Sequence, residues 1–258
     1  MSSSLFSLFP QHYEWQLALY VVVASLALLS VGRYLLNLIP ALQQTKQLNQ
    51  ATAKERVTRS FCVRIQNRSA LWGLLFQLVY AVLVLPFCLT AETRPWWRTL
   101  LDIVTILMVY DFFYYFSHRF LFHAGRLGGP LMWMHAVHHQ QKNPCRLDSN
   151  YLHPLETCIG LALYCGTVTL LAALMGDFQV VTIVVTYVLF LEINEHNHDL
   201  MEINRFPFKS MYDKAYLHHV HHARFTGGNF GTISSLYDRL FGTYDTGRGW
   251  GKRIKSEA

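Results

Sequence analysis

Charge is scarce in this sequence. Lys, Arg, Asp and Glu make up 15% of its 258 residues, whereas 52% are hydrophobic. Soluble chains average roughly 25% charged, so the balance points to a membrane, although a mean hydropathy only mildly above zero leaves much of the chain for water. Cysteine chemistry is missing too. Cys62, Cys88, Cys145, Cys158 and Cys165 form no CxxC pair, which excludes a disulfide framework and a thiolate metal site. Internal repeats and low-complexity segments are absent, and strand signals are weak throughout. No basic run is interleaved with polar loops, so the formal charge of +6 is expected to face anionic headgroups, and no nucleic-acid partner is expected. The first fifteen residues hold no Lys or Arg, so the first apolar run is not expected to be a secretory signal. Lys255–Ala258 matches no retention or lipidation signal.

What is present is five apolar stretches, at about 16–32, 70–90, 99–117, 158–175 and 178–193. A helical crossing needs about 20 apolar residues. The first three qualify, and the last two form either a spanning hairpin or one that enters partway. Between them, loop 41–69 carries Lys46, Lys54, Arg56, Arg59, Arg64 and Arg68, whereas loop 91–98 carries only Arg94 and Arg98. With loop 41–69 inside, nineteen of the 22 Lys and Arg fall on one side, the positive-inside pattern. Since only helices and closed barrels satisfy their own backbone in lipid, the expected fold is all-α: an integral-membrane helical bundle of four to five spanning or re-entrant helices, with a cytoplasmic histidine-rich helical metal domain.

Twelve of the 13 histidines lie between residues 118 and 222, all on that inner side; His12 is expected at the surface. His135-Ala-Val-His138-His139 is an HxxHH set, and His218, His221 and His222 form a second. On a helix, positions i, i+3 and i+4 share a face, so each triplet is expected to converge on one volume, with His219 pointing elsewhere. His118 and His123 are about 140° apart on an α-helix. They can share a metal only if the helix ends between them, which Ala124-Gly125 and Gly128-Gly129-Pro130 invite. His196, His198 and His153 sit at further membrane exits. So many imidazoles in one place are costly without a common cation, and neutral imidazole is the usual ligand of transition ions. Eight or more ligands exceed one four-coordinate zinc site and suit two ions. Imidazole alone does not choose among Zn, Cu, Fe and Ni.

The same residues carry a resemblance. His118-Arg-Phe-Leu-Phe-His123, His135-x-x-His138-His139 and His218-x-x-His221-His222 resemble the histidine boxes of the fatty acid hydroxylase / sterol desaturase superfamily. Asn150-Tyr-Leu-His153-Pro-Leu-Glu156-Thr157 is similar to a stretch of its C4-methylsterol oxidases. Asn229-Phe-Gly231 and Asp238-Arg-Leu-Phe-Gly-Thr-Tyr244 resemble its closing motif. The likeness covers about residues 100–245. Four residues rather than three separate the first two His, Glu195-His196-Asn197-His198 replaces the acid-His-Ser-Gly of sterol members, and Tyr237 stands for the usual Trp.

The resemblance implies a non-haem centre of two iron ions, with zinc possible in purified protein. It implies O2, a membrane lipid substrate (sterol or fatty acyl), and electrons from a separate donor of cytochrome b5 or ferredoxin type. The implied activity is hydroxylation of a lipid C–H bond. The alternatives are desaturation by the same centre, a non-redox zinc membrane protein, and an inactive relative. Expected ligands are His118, His123, His135, His138, His139, His196, His218, His221 and His222, with His153 and His198 as further candidates. Asp111, Asp148, Glu156, Glu195 and Asp238 are considered as carboxylates behind them. Asp111 leads that group because a charge in a spanning helix needs a partner; it supports either His118 or a neighbouring helix. The aromatic run Phe112–Phe116 lines the lipid entry or merely packs. Residues 1–98 are expected as a membrane region with a basic loop, 99–245 as the catalytic domain and 246–258 as a basic tail. The location implied is the endoplasmic reticulum in a eukaryote or the inner membrane in a bacterium.

Overall fold

The computed structural model describes residues 13–123 and 129–249. His12, the Ala124–Gly128 part of the expected helix stop and most of the 246–258 tail lie outside the described residues. Within them the chain is helical, and its one extended pairing is a bridge between Leu89 and Phe178. The helices are α1 (Trp15–Asn37), α2 (Pro40–Val57), α3 (Ser60–Leu83), α4 (Trp96–Phe116), α5 (Met132–His138), α6 (Pro154–Met175), α7 (Val180–His196), α8 (Lys209–Ala223) and α9 (Leu236–Leu240). Proline opens α2 and α6 at the first helical position, where its missing N–H costs nothing. Gly176 ends α6 at φ 89°, a positive value that glycine adopts freely.

Four helices are long and apolar enough to cross a membrane: Trp15–Asn37, Ser60–Phe87, Trp96–Phe122 and Pro154–Met175. The fifth apolar stretch is α7, of 17 residues, about 26 Å at the helical rise and short of the roughly 30 Å of a hydrocarbon core. The expected basic loop 41–69 is not a loop. It is α2 followed by the first turns of α3, which starts at Ser60 and carries Arg64 and Arg68 near its N-terminal end. Outward faces of α1 and α3 are apolar and exposed, with Leu26, Tyr34, Leu78 and Leu83 all more than half accessible. Lipid covers such faces in a bilayer.

Helix α7 packs on α1 and α4, and α6 packs on α3 and α4. Inside, Tyr110, Tyr164 and Phe190 meet edge-on or stacked, with centroids 4.6 to 5.9 Å apart. At one end the α6–α7 turn is tied to the chain after α3: Phe178 N–H donates to Cys88 O and Thr90 N–H to Phe178 O. At the other end α5, α8 and the loops around them form a second layer. That layer holds the histidines.

Candidate metal centre

Ligand atoms of nine histidines fall into two groups, within each of which they lie no more than 4.8 Å apart. His118, His123, His135, His139 and His221 form one, and His138, His198, His218 and His222 the other. The HxxHH triplets do not converge as units. Each divides: His135 and His139 go to the first group and His138 to the second, while His218 and His222 go to the second and His221 to the first. The reason is angular. Positions i+4 and i+3 lie about 40° and 60° to opposite sides of i, so a helix wedged between two sites serves both. His219 turns aside to Asn143.

His118 and His123 meet without the helix ending. After Phe116 the helix continues as a π-helical turn over Ser117–Phe122. Hydrogen bonds from i to i+5 stack residues five apart, and the two ring centroids lie 5.0 Å apart. Gly129 then comes so close to Leu121 O that a Cβ would lie 2.0 Å from it.

Most of the rings are oriented by their Nδ1 atoms. Nδ1–H donates to a backbone carbonyl from His118 (Phe230, 2.9 Å), His123 (Phe225, 2.8 Å), His221 (Gly228, 2.8 Å), His138 (Tyr151, 3.2 Å), His198 (Asn194, 2.8 Å) and His222 (Gln141, 3.0 Å). His135 Nδ1–H donates to Glu156 Oε1 at 2.6 Å. A neutral imidazole has one N–H, so each of these Nε2 atoms carries a bare lone pair. Yet Nε2 atoms face each other: His135 lies 3.1 Å from His118 and 3.0 Å from His139, and His118 lies 3.1 Å from His221. In the second group, His198 lies 3.2 Å from His138 and 3.1 Å from His218, which lies 3.2 Å from His222. Opposed lone pairs repel unless a cation lies among them. Bonds of about 2.1 Å to one ion put neighbouring nitrogens about 3 Å apart, as found. The unpartnered Nε2 of His123 completes the first set. The donor set therefore fits a transition ion in each group.

Burial keeps these imidazoles neutral and ready to ligate. His138 and His221 are lowered to about 4 by desolvation. His123, His139, His198, His218 and His222 are also pushed down, first by desolvation and then by neighbouring imidazoles. Above the ordinary 6.5 both folded and unfolded chains hold these rings neutral. Below it the unfolded chain takes up protons first, so folding stability is lost as pH falls. Metal-stripped protein is expected to melt at progressively lower temperature as pH drops from 6.5 towards 4, measured by thermal unfolding in detergent.

Not every expected ligand joins the groups. His196 uses both nitrogens elsewhere, Nδ1 with Asp199 and Nε2 with Met211 O, each at 2.9 Å, and His198, two residues on, reaches the second group instead. His153 caps α6, its Nδ1 accepting from Leu155 N–H, and packs on Trp133. Of the carboxylates, only Glu156 touches a grouped histidine. Glu195 pairs with Arg33 and Arg146, in a network with Glu192 and Asp199. Asp148 caps the turn Arg146–Asn150 and meets Arg56.

Asp111 and Asp238 act one layer further out, on the loop after α8. Asp111 accepts from Thr232, Ile233 and Ser234 N–H and from Ser234 Oγ–H. Asp238 accepts from Phe230 and Gly231 N–H, both at 2.8 Å, and from Thr243 Oγ–H. Asn229, at φ 64°, ties the loop to Leu217 and Asp245. A Cβ on Gly231 would sit 2.5 Å from Ser234 O. The Asn-Phe-Gly and Asp-Arg-Leu-Phe-Gly-Thr-Tyr motifs are thus the fastening of a loop whose carbonyls aim three histidines of the first group. Those carbonyls, with Tyr151, Gln141 and Asn194 O, leave no residue-type signal in sequence.

A cavity of about 340 Å³ runs from this layer up between the spans. Tyr110 and Tyr114 of α4, His118 and Phe122 of the π-helical turn, Glu156 of α6 and His198 are among its lining residues. Of the aromatic run, Tyr114 alone borders it. A larger cavity of about 680 Å³, walled by α1, α2 and α7, includes none of the nine grouped histidines.

The fold and site define a helical membrane protein with two groups of histidines that could each hold a metal ion. The family profile for fatty acid hydroxylases matches residues 103–243, more than half of the chain, and the chain belongs to that family. It is 32% identical over 160 residues to methylsterol monooxygenase 1 of Rattus norvegicus, covering 59% of this chain and 50% of that protein. It is 28% identical over 236 residues to methylsterol monooxygenase 1 of Gallus gallus, covering 88% and 75%. A very-long-chain aldehyde decarbonylase of Oryza sativa subsp. indica is 30% identical over 154 residues, covering 58% and 54%. The chain thus spans about half the length of most of these curated relatives. No solved structure matches it.

Proposed function

We propose that the protein is a membrane-bound oxidoreductase that hydroxylates a C–H bond of a lipid, using O2 and two electrons. One observation carries this reading: nine neutral imidazoles in two groups, lone pairs facing inward about 3 Å apart, open on a cavity that enters the spans. His118, His123, His135, His139 and His221 would hold one iron ion and His138, His198, His218 and His222 a second, which would supply the redox chemistry with O2 that zinc lacks.

The chain's own residues do the rest. Backbone carbonyls and Glu156 fix ring orientation and tautomer. The helices keep bulk water from the cavity and present the lipid to the histidine layer from the bilayer. Names of the similar proteins favour a sterol, and the stretch around His153 agrees. Electrons come from a separate protein of cytochrome b5 or ferredoxin type. The Lys and Arg bias puts the histidine layer on the cytoplasmic side, in the endoplasmic reticulum of a eukaryote or the inner membrane of a bacterium.

The test is lipid analysis of cells with and without the protein under 18O2. A lipid gaining one heavy oxygen is the expected product. An olefin without added oxygen assigns desaturation instead. Two zinc ions with full activity in the absence of O2 would rule out the oxygenase.

A further inference from the structure

The 680 Å³ cavity holds none of the grouped histidines, so the metal chemistry gives it no role. It lies at one end of the spans. Arg33, Leu36 and Asn37 of the last turns of α1 line it, as do Glu192, Glu195 and His196 of the last turns of α7. Helix α2 starts with only Leu38 and Ile39 between it and α1, and supplies another wall through Leu42, Lys46, Asn49, Gln50 and Ala53, the spacing of one helical face. Asn49 pins that wall, its Oδ1 accepting from Arg146 N–H at 2.9 Å and from Leu200 N–H at 3.1 Å.

Charge around the cavity is unevenly spent. Glu192 and Glu195 each pair with both Arg33 and Arg146, and Asp199 pairs with Arg146. Every carboxylate lining the cavity thus has its cation. Lys46 and Gln50, one turn apart on α2, have no side-chain partner among the described residues, and Lys46 is half-buried. An ammonium has donors only, and an amide adds two more. Much of the remaining wall is apolar, with Leu36, Leu42, Leu147, Ile193, Met201 and Met211.

A ligand suited to this cavity brings a negatively charged acceptor and an apolar part. A phospholipid joins the two in one molecule, and the end of the spans is where its headgroup lies. The volume falls within the roughly 300–1,000 Å³ of ligand sites. A choline or ethanolamine cation would find no unpaired carboxylate and would meet the charge of Lys46. We propose that this cavity binds an anionic phospholipid, its phosphate on Lys46 and Gln50 and its chains along the apolar wall. The site is independent of the oxygenase reading.

The test uses the full chain in non-ionic detergent and a phosphatidylglycerol photoreactive in one acyl chain. Label is expected on peptides of α1, α2 and α7. Dioleoylphosphatidylglycerol should displace the probe at about tenfold lower concentration than dioleoylphosphatidylcholine, the effect of one hydrogen bond to a charged group. Lys46→Gln should shrink this preference to within about twofold with metal content unchanged, whereas Lys54→Gln, on α2 outside the cavity, should keep it. Leu42→Trp, which fills the cavity, should cut labelling several-fold. Equal displacement by the two phospholipids overturns the proposal. So does equal loss of preference in Lys46→Gln and Lys54→Gln, which would mean diffuse surface charge, or labelling unchanged by Leu42→Trp. Displacement by oleate as effective as by phosphatidylglycerol gives the cavity to a fatty-acid carboxylate and overturns the phospholipid.

Discussion

Replacing His222 with Ala is expected to lower bound metal from two ions per chain to about one and to reduce lipid oxidation by more than about 100-fold. Loss of an outer partner of a metal ligand already costs about 10–100-fold, and His222 is itself one of only four imidazoles in its group. Its removal leaves His218 Nε2, 3.2 Å away, without that neighbour. The five-histidine group loses no ligand, so one ion should stay. His196→Ala is the informative contrast. Its nitrogens bond Asp199 and Met211 O, so metal content should stay at two. Elemental analysis of both purified variants decides the matter: equal metal loss in the two would mean that the grouping is wrong.

The second large effect is expected from Asp111→Ala. Asp111 is fully buried within α4 and accepts four hydrogen bonds from residues 232–234. Truncation leaves three N–H groups and one hydroxyl facing a cavity, each costing about 1–3 kcal/mol when left bare. Part of this is recovered by local rearrangement, so on the order of 3 kcal/mol or more should be lost, a fall of about 6–12 °C in melting temperature for a chain of this size. The loop it holds carries Phe230, whose carbonyl orients His118. Metal in the first group should therefore weaken too, although Asp111 touches no histidine. A melting temperature within about 2 °C of the unsubstituted protein would show that the loop is held by other contacts.

Several parts of the molecule were legible from residues alone. Apolar runs of spanning length marked three of the four long apolar helices, because hydrocarbon thickness sets a minimum length that composition reveals; the fourth, Pro154–Met175, was left open between spanning and entering partway. The histidine spacing singled out eight of the nine grouped histidines, and His198 stood among the further candidates, because residues at i, i+3 and i+4 share one side of a helix. Asp111 stood out as a carboxylate needing a partner, and Glu156 was one of four others considered with it.

Other features existed only once the chain was packed. Helix geometry allows a triplet to serve one site or two, and only the placement of α5 against α8 splits each triplet between two groups. The π-helical turn that unites His118 with His123 depends on hydrogen-bond register rather than composition. His196 and His198 sit at the same membrane exit. Tertiary contacts with Asp199 and Met211 engage the first, while the second faces His138 in the second histidine group. The carbonyls that orient the rings are backbone atoms, common to every residue, so sequence cannot single them out. Sequence alone thus determined that this chain places a histidine-rich layer at one end of a membrane bundle. Which imidazoles face one another, and that they do so in two groups with Nε2 atoms about 3 Å apart, was decided by long-range packing, because those distances join residues as far as 103 positions apart.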